Sequence, residues 1–228
     1  MTRKILKALL SDIDKVVLKY PEVEPIMSGR TPVGLEGIID IHDSDGLNRG
    51  SFQIRVGNFQ NYPNSFPSLR ELSRLIPRIE DRHVYGDGNC CVTVLQMQLI
   101  EARRGILLSR YFSQYVVPYL ANQIHYEEYG EWANEEYMHG FSGQIQFYVE
   151  ELKMKDFQTL YRAFEIALGR IRISRNDKCF CHSGLKYKQC HIGSIGQMIL
   201  IGNTQLREDL TKLNLLLLEN RLSKSNKK

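Results

Sequence analysis

The sequence predicts an α+β protein in which one helix precedes an antiparallel sheet and further helices follow. Three observations predict this class: helical spacing of apolar residues near the N-terminus, short β-branched runs separated by turn residues, and a return to helical spacing from about residue 107. The 228 residues, of which 43% are hydrophobic and 25% charged, allow one large domain with a small appendage.

The first half of the chain predicts a helix followed by strands. Residues 3–20 form an amphipathic pattern that Pro21 and Pro25 end. The runs "GLEGIIDIHD" and "GSFQIRVGNF" flank the turn-rich "SDGLNRG" and predict a hairpin. The next segment, "NYPNSFPSLREL", predicts an irregular edge leading into another strand, and "RHVYGDGNCCV" an extended, loop-rich segment.

The second half predicts helices. Apolar and aromatic residues from Leu108 to Leu120 share one face and predict a helix over about 107–129, with Pro118 as a candidate kink. The runs "GQIQFYVEELK" and "DFQTLYRAFEIALGRI" predict two more helices, and residues 194–222 a final helical stretch. The three tyrosines at four-residue spacing in the first of these helices are expected to pack rather than to stack on bases.

Composition narrows the class of function. The net charge of +4 is a mild excess, which does not indicate nucleic-acid binding. The N-terminus lacks the pattern of a signal peptide, and no run approaches the roughly 18 apolar residues that span a membrane. We therefore expect a cytoplasmic protein, in which five cysteines point to metal binding or chemistry rather than to disulfides.

Four residues near the C-terminus have the spacing of a metal site. Cys179, Cys181, Cys190 and His191 form C-x-C-x8-C-H, a ligand set that suits tetrahedral Zn²⁺. Because four protein ligands leave no open coordination position, we expect the zinc to be structural rather than catalytic. Chance clustering of unconnected thiols and imidazoles is the alternative.

The segment that contains these ligands, "RNDKCFCHSGLKYKQCH", resembles the SEC-C motif, a short zinc-binding module. It departs from the usual form at Phe180 and His182, which are not ligand positions, and His182 is expected not to coordinate. The resemblance implies a role in protein contacts, for which Lys186, Tyr187 and Lys188 would provide a basic face. The alternative is that the module only stabilises the fold of the C-terminal region.

The adjacent cysteines Cys90 and Cys91 raise a second question of chemistry. Neighbours in an extended segment point to opposite faces, so one thiol can be buried while the other meets solvent. Adjacent cysteines rarely bridge each other, and His83 is a lone nearby metal ligand. Two interpretations remain: two small core residues, or a thiolate nucleophile beside a buried neighbour.

The runs "YPNSFPSLREL" and "RHVYGDGNCCV", followed by a long helix, resemble the ubiquitin-conjugating enzyme family, in particular bacterial relatives that accompany antiviral signalling nucleotidyltransferases or bacterial ubiquitin-like operons. Tyr62, Pro63 and Pro67 match a Tyr-Pro-x-x-x-Pro turn, and His83 matches the start of the active-site loop. Residues 88–92, "GNCCV", match Gly-x-x-Cys-Leu, which places the nucleophile at Cys91 and Cys90 before it, although which thiol reacts stays open. The resemblance spans roughly residues 3–155.

This resemblance implies a fold and a domain plan. We expect a ubiquitin-conjugating-like domain over residues 1–155, with a helix, an antiparallel meander and further helices. A helical extension over 156–222 would hold the zinc module at about 175–193, and residues 223–228 would form a disordered basic tail.

The resemblance also implies an activity. Cys91 would accept the C-terminal acyl group of a ubiquitin-like protein, or of another C-terminal tail, as a thioester from an activating enzyme supplied in trans. It would pass the group to a target such as a signalling nucleotidyltransferase in antiphage defence. His83 would mainly brace the loop.

Departures from the family leave other interpretations open. His83-Val84-Tyr85 stands where the family has His-Pro-Asn, so the asparagine that steadies the oxyanion is missing, and Asn89 is a candidate substitute. Asp87 would either support the turn or orient an amine. A non-enzymatic adaptor that binds through its zinc module, and a cysteine hydrolase that pairs Cys91 with His139, are the rival functions.

Overall fold

A computed structural model shows an α+β fold in two compact units, residues 1–94 with 101–139 and residues 95–100 with 140–228. The structure describes residues 2–133, 137–138 and 140–225, with side chains as far as residue 218. The predicted α+β class with an antiparallel sheet is confirmed.

The first unit is a five-stranded antiparallel meander accompanied by helices. The strand order is the order of the sequence, so each strand pairs with its neighbour along the chain. The elements are α1 (Arg3–Lys19), β1 (Val23–Ser28), β2 (Thr31–His42), β3 (Asn48–Gly57), β4 (Ser68–Glu71), a 3₁₀ turn (Glu80–Arg82), β5 (Asn89–Cys90), α2 (Leu95–Arg104), α3 (Leu108–Tyr111), a π-helical turn (Phe112–Val116) and α4 (Val117–Tyr129). Only residues 101–104 of α2 belong to this unit, and residues 95–100 belong to the second.

Helix α1 forms where the sequence predicts it. Thr2 caps it by accepting the backbone N–H of Ile5, and the helix buries an apolar face that includes Leu9 and Val16. The same face carries a buried carboxylate, Asp12, which accepts hydrogen bonds from the Tyr62 hydroxyl at 2.9 Å and the Ser109 hydroxyl at 2.7 Å. Asp12 also accepts the backbone N–H of Leu108, so α1 caps the start of α3 from outside that helix.

The predicted hairpin is the centre of the sheet, and β1 is a strand that the sequence did not single out. On β3, buried Phe52, Ile54 and Val56 alternate with exposed residues, as expected for a strand with one covered face. β1 contains Pro25, which cannot donate to a ladder, and the strand accommodates it because β1 lies at the edge of the sheet.

The helix predicted over 107–129 is present but irregular, and α2 was missed. The chain is helical from Leu108 to Tyr129, with the π-helical turn directly before α4 and Pro118 in the first turn of α4. A wider turn at this point accommodates a residue that has no backbone N–H. Helix α2 escaped prediction because Gln96 and Glu101 are buried, so its buried face does not look apolar.

The second unit is helical. Its core holds a fully buried carboxylate, Asp209, which accepts from the Tyr148 hydroxyl at 2.7 Å and from Gln96 Nε2 at 2.8 Å. The single stretch predicted over 194–222 is two helices that break at Gly202, whose φ is 95°. The helices are α5 (Gly140–Glu150), α6 (Phe157–Ala167), α7 (Ile192–Ile201) and α8 (Asn203–Ser225).

Two further expectations concern the C-terminal tail and the absence of membrane-spanning segments. Helix α8 runs through Ser225, and residues 226–228 of the predicted tail lie outside the described part of the chain. Among the described residues, the helices are all too short or too polar to cross a membrane.

Candidate active site and metal centre

The two cysteines lie in a tight hairpin over residues 83–91. The Tyr85 N–H donates to Asn89 O and the Cys91 N–H donates to His83 O, each at 2.8 Å, on either side of the Val84–Cys90 bridge. Val84 and Cys90 are therefore a non-hydrogen-bonded pair whose side chains share one face. Side-chain alternation places His83, Tyr85, Asn89 and Cys91 on the opposite face.

Cys90 is on the inner face of this hairpin. It pairs with Leu69 of β4 and packs against the hydrophobic core of the first unit. Burial raises the pKa of the Cys90 thiol to about 11, and a hydrogen bond with Tyr119 only partly offsets this. At neutral pH Cys90 is therefore a protonated thiol held against apolar neighbours. Because the thiolate is the reactive form, Cys90 is poorly suited to act as a nucleophile.

Cys91 is on the outer face of the hairpin. Its side chain, like that of Cys90, is half-buried, and its sulfur lies 3.8 Å from the Thr93 carbonyl oxygen. The Tyr85 hydroxyl is its neighbour, and the negative charge of a Cys91 thiolate, together with burial, raises the pKa of Tyr85. Sequence reasoning passed over Tyr85, although the Gly86-Asp87-Gly88 turn could have indicated that residues 85 and 91 share a face.

His83 positions the loop mainly through its backbone. It ends the 3₁₀ turn in a left-handed conformation with a φ of 52°, and its carbonyl accepts both Cys91 N–H and, at 3.3 Å, the Tyr119 hydroxyl. Its imidazole centroid lies 5.9 Å from that of Trp132, edge to face. These contacts fit a residue that braces the loop opposite Cys91.

Asp87 and Asn89 support the turn itself. Asp87 accepts the Asn89 backbone N–H at 2.9 Å and also the Asn89 side-chain amide. The Asn89 backbone hydrogen bond is the main cause that lowers the pKa of Asp87, and Arg70, at 3.6 Å, adds to it. The Asn89 amide is thus engaged with Asp87, which favours a role in the turn over the oxyanion role considered for it.

The two glycines of the turn meet different surroundings. Gly88 has a φ of +85°, and a Cβ there would lie 2.9 Å from Arg78 Nη2 and 3.1 Å from the Glu71 carbonyl oxygen. Gly86 has nothing within 4 Å of such a Cβ. Gly88 therefore packs inward, while the open side of the turn is at Gly86.

The four predicted metal ligands converge in the second unit. The ligand atoms of Cys179, Cys181, Cys190 and His191 all lie within 4.8 Å of one another. The sulfurs of Cys181 and Cys190 are 3.5 Å apart, and His191 Nδ1 is 3.3 Å from Cys179 Sγ and 3.0 Å from Cys190 Sγ. Tetrahedral zinc with sulfur ligands needs edges of about 3.8 Å, so these atoms could take a zinc ion with small adjustments.

Local backbone structure explains this convergence. The chain between α6 and α7 doubles back, because Cys179 N–H donates to Leu185 O and Tyr187 N–H donates to Asp177 O, both at 2.8 Å. Gly184 lies in the return with a φ of 82°, a conformation that suits glycine. The predicted Ser-Gly turn is thus present, and it brings Cys190 back to Cys179 and Cys181.

The surroundings of the ligands suit a metal. His191 Nε2 lies 3.0 Å from the Lys153 carbonyl oxygen, which makes this nitrogen the donor and leaves Nδ1 directed at the sulfurs. Burial raises the pKa of Cys181, but hydrogen bonds from Ser183 and from the neighbouring cysteines outweigh it and lower the pKa to about 6, whereas burial and the same cysteine neighbours raise the pKa of Cys179 to about 11. His182 lies apart from the cluster, with its Nε2 2.7 Å from Arg162 Nη1.

Comparison with known proteins bears on this second site alone. Residues 175–192 match the SEC-C motif, and the match contains all four clustered residues. Comparisons with curated proteins and with solved structures returned no match. His139, the histidine considered for a hydrolase, lies outside the described residues.

Proposed function

We propose that this protein is a cysteine-dependent conjugating enzyme that carries a C-terminal acyl group as a thioester on Cys91. The observation that supports this most is the opposite placement of two adjacent thiols, Cys90 packed inward with a raised pKa and Cys91 on the outer face of the hairpin. The order of helix, meander, hairpin with cysteine, and further helices is also the order that the ubiquitin-conjugating resemblance implies.

The chemistry proceeds by two acyl transfers. In the first, the Cys91 thiolate attacks the carbonyl carbon of a thioester held by an activating enzyme; the new C–S bond forms and the activating enzyme's thiolate leaves. In the second, an amine of the target attacks the same carbon, the C–N bond forms, and Cys91 leaves as a thiolate while the amine's proton passes to water. A cysteine thiolate is nucleophilic enough for this without a strong base.

The partners follow from the resemblance. We propose a ubiquitin-like protein or another protein C-terminus as the donor of the acyl group, an activating enzyme in trans, and a cytoplasmic target such as a signalling nucleotidyltransferase in antiphage defence. The open side of the turn at Gly86 gives a narrow tail access to this face of the hairpin.

We also propose that Cys179, Cys181, Cys190 and His191 hold a structural Zn²⁺. All four ligands come from the protein, which leaves no position for a substrate. The ion would fix the doubled-back chain between α6 and α7, in which Phe180 and Tyr187 are buried aromatic residues.

The test of the conjugating activity is intact-mass analysis of protein recovered from its host. We expect an adduct on wild-type protein that hydroxylamine removes and that a phosphine, which reduces disulfides, leaves intact. Cys91→Ala should lose the adduct, Cys91→Ser should carry it as a hydroxylamine-resistant ester, and the matched control Cys90→Ala should keep it. An adduct that survives Cys91→Ala, or that disappears in Cys90→Ala alone, would contradict the proposal.

A second candidate function is an adaptor that binds a partner through the metal module. The observation that favours it is an apolar groove of about 610 Å³ in the second unit, lined by residues that include Ile166, Ile195, Ile199 and Tyr187. The stretch over 170–192, which contributes residues to the lining of this groove, has six Lys and Arg and a single Asp. All six basic side chains are exposed. An acidic partner with an apolar side chain would suit this surface.

The two functions separate experimentally at Cys91. In an adaptor, co-purification of the partner is unchanged by Cys91→Ala and is lost on Ile199→Asp, whose side chain is 55% exposed in the groove. Leu215→Asp, at a position 56% exposed elsewhere in the second unit, is the control for a general effect of an added charge. Loss of function in Cys91→Ala with binding retained would leave the conjugating enzyme as the remaining candidate.

A further inference from the structure

Tyr85 is a phenol on the same face of the hairpin as the proposed nucleophile, Cys91. From the register of the hairpin we infer that Tyr85 is a catalytic residue, whose hydroxyl donates a hydrogen bond to the Cys91 sulfur as the acyl group leaves it. This inference rests on the proposed thioester function of Cys91.

The backbone hydrogen bonds of the hairpin set this arrangement. Tyr85 lies opposite Asn89 and His83 lies opposite Cys91, so Tyr85 and Cys91 are diagonal neighbours on one face of an antiparallel pair. Diagonal neighbours are within reach of a long aromatic side chain. This position puts the Tyr85 hydroxyl within reach of Cys91, whose negative charge raises the pKa of Tyr85, and Tyr85 remains 56% exposed.

The other polar groups on this face have different partners. The Asn89 amide donates to Asp87. The Asp87 carboxylate also accepts the Asn89 backbone N–H and forms an ion pair with Arg70. The His83 carbonyl accepts the Cys91 N–H, and its ring packs edge to face with Trp132. Tyr85 is thus the residue on this face whose described side-chain interaction is with the reacting sulfur.

The chemistry of a phenol suits the second transfer. When the amine attacks, the electron pair of the breaking C–S bond moves to Cys91 Sγ, which becomes an anion. The negative sulfur keeps the pKa of Tyr85 raised, so the hydroxyl remains protonated and acts as a hydrogen-bond donor. Tyr85 gains and loses no proton in this step; the amine's proton still passes to water.

The test uses a chemical acyl donor, because the natural modifier is not needed to examine the sulfur. A short peptide ending in Gly-Gly, supplied as its mercaptoethanesulfonate thioester, should load Cys91 by thiol exchange, and free lysine should then discharge it. We expect Tyr85→Phe to load to the same extent and to discharge about tenfold more slowly, the effect of losing one charge-assisted hydrogen bond. Tyr161→Phe, at another exposed tyrosine, should match the wild type.

A second readout tests the pair without any acyl transfer. With tyrosine labelled at its ring carbon, NMR follows the ionisation of Tyr85, identified by the signal that Tyr85→Phe lacks. In Cys91→Ala the pKa of Tyr85 should fall towards its ordinary value, because the neighbouring negative charge is gone. A structural role for Tyr85 would not produce this shift.

The outcomes separate the two proposals. If Cys91 does not load, or loads no faster than Cys90, the conjugating function fails, and the catalytic role of Tyr85 falls with it. If Cys91 loads and discharges but Tyr85→Phe discharges at the wild-type rate, the role of Tyr85 is refuted while the function of Cys91 stands. The same holds if the pKa of Tyr85 is unchanged in Cys91→Ala.

Discussion

Replacing each glycine of the Gly86-Asp87-Gly88 turn by alanine should change the stability of the first unit in opposite directions. Gly88 has a positive φ of +85°, and an added Cβ there would lie 3.1 Å from the Glu71 carbonyl oxygen and 2.9 Å from Arg78 Nη2. Gly86 is outside the glycines with positive φ, and its Cβ position is open. The two residues are two positions apart, so each serves as the control for the other.

The magnitudes follow from these surroundings. Holding alanine in a left-handed conformation costs about 1–2 kcal/mol. The Arg78 side chain can move away, but the Glu71 carbonyl belongs to the backbone of β4 and cannot move as easily. We therefore expect Gly88→Ala to destabilise the first unit by about 2–3 kcal/mol in total. Gly86→Ala should stabilise by about 0.4–1 kcal/mol, because it restricts the unfolded chain and meets no contact.

The assay is urea unfolding followed by tryptophan fluorescence. Trp132 is the one tryptophan of the chain, and it lies in the first unit with its ring near His83 and Tyr126. Its signal should therefore report this unit. The reasoning is refuted if Gly88→Ala is as stable as Gly86→Ala, since neither the backbone conformation nor the close approach to Glu71 would then be as described.

Two further predictions concern the metal site and the inner cysteine. Mass spectrometry of metals should find one zinc ion per chain, lost in Cys190→Ala and kept in His182→Ala, because Cys190 belongs to the ligand cluster and His182 contacts Arg162 instead; loss of zinc in both variants would contradict the ligand set. The pKa of Cys90 rises from 9.0 to about 11 on folding, so the folded state holds its proton longer, and the free energy of unfolding should fall by about 2–3 kcal/mol as pH rises from about 9 to about 11. Chemical denaturation across this range should show a shallower fall in Cys90→Ala, and equal slopes would show that Cys90 does not titrate as a buried thiol.

Elements with strong local patterns were predictable, and those with mixed patterns were not. Helix α1 and the β2–β3 hairpin have apolar residues at regular spacing, ended by prolines or turn residues, and both were confirmed with boundaries close to those expected. Helix α2 has buried polar residues, Gln96 and Glu101, which find partners elsewhere in the structure, so its pattern carries little information.

Polar groups with distant partners were likewise invisible in the sequence. Asp12 looks like one more charge on an exposed helix, yet it is buried and bonded to Tyr62 and Ser109, 50 and 97 residues away. Asp209 accepts from Gln96 across 113 residues. Such pairs depend on packing between elements, so the local spacing of polar and apolar residues does not reveal them.

The sequence by itself determined the Cys/His cluster, because all four residues fall within thirteen positions and a single doubled-back loop must bring them together. It also restricted the two adjacent thiols to opposite faces of an extended chain. Only the tertiary structure decided that Cys90 is the inner thiol and that Tyr85 lies beside Cys91. The face of each residue depends on the register of residues 83–91 and on the pairing of β5 with β4, which are set by contacts between segments distant along the chain.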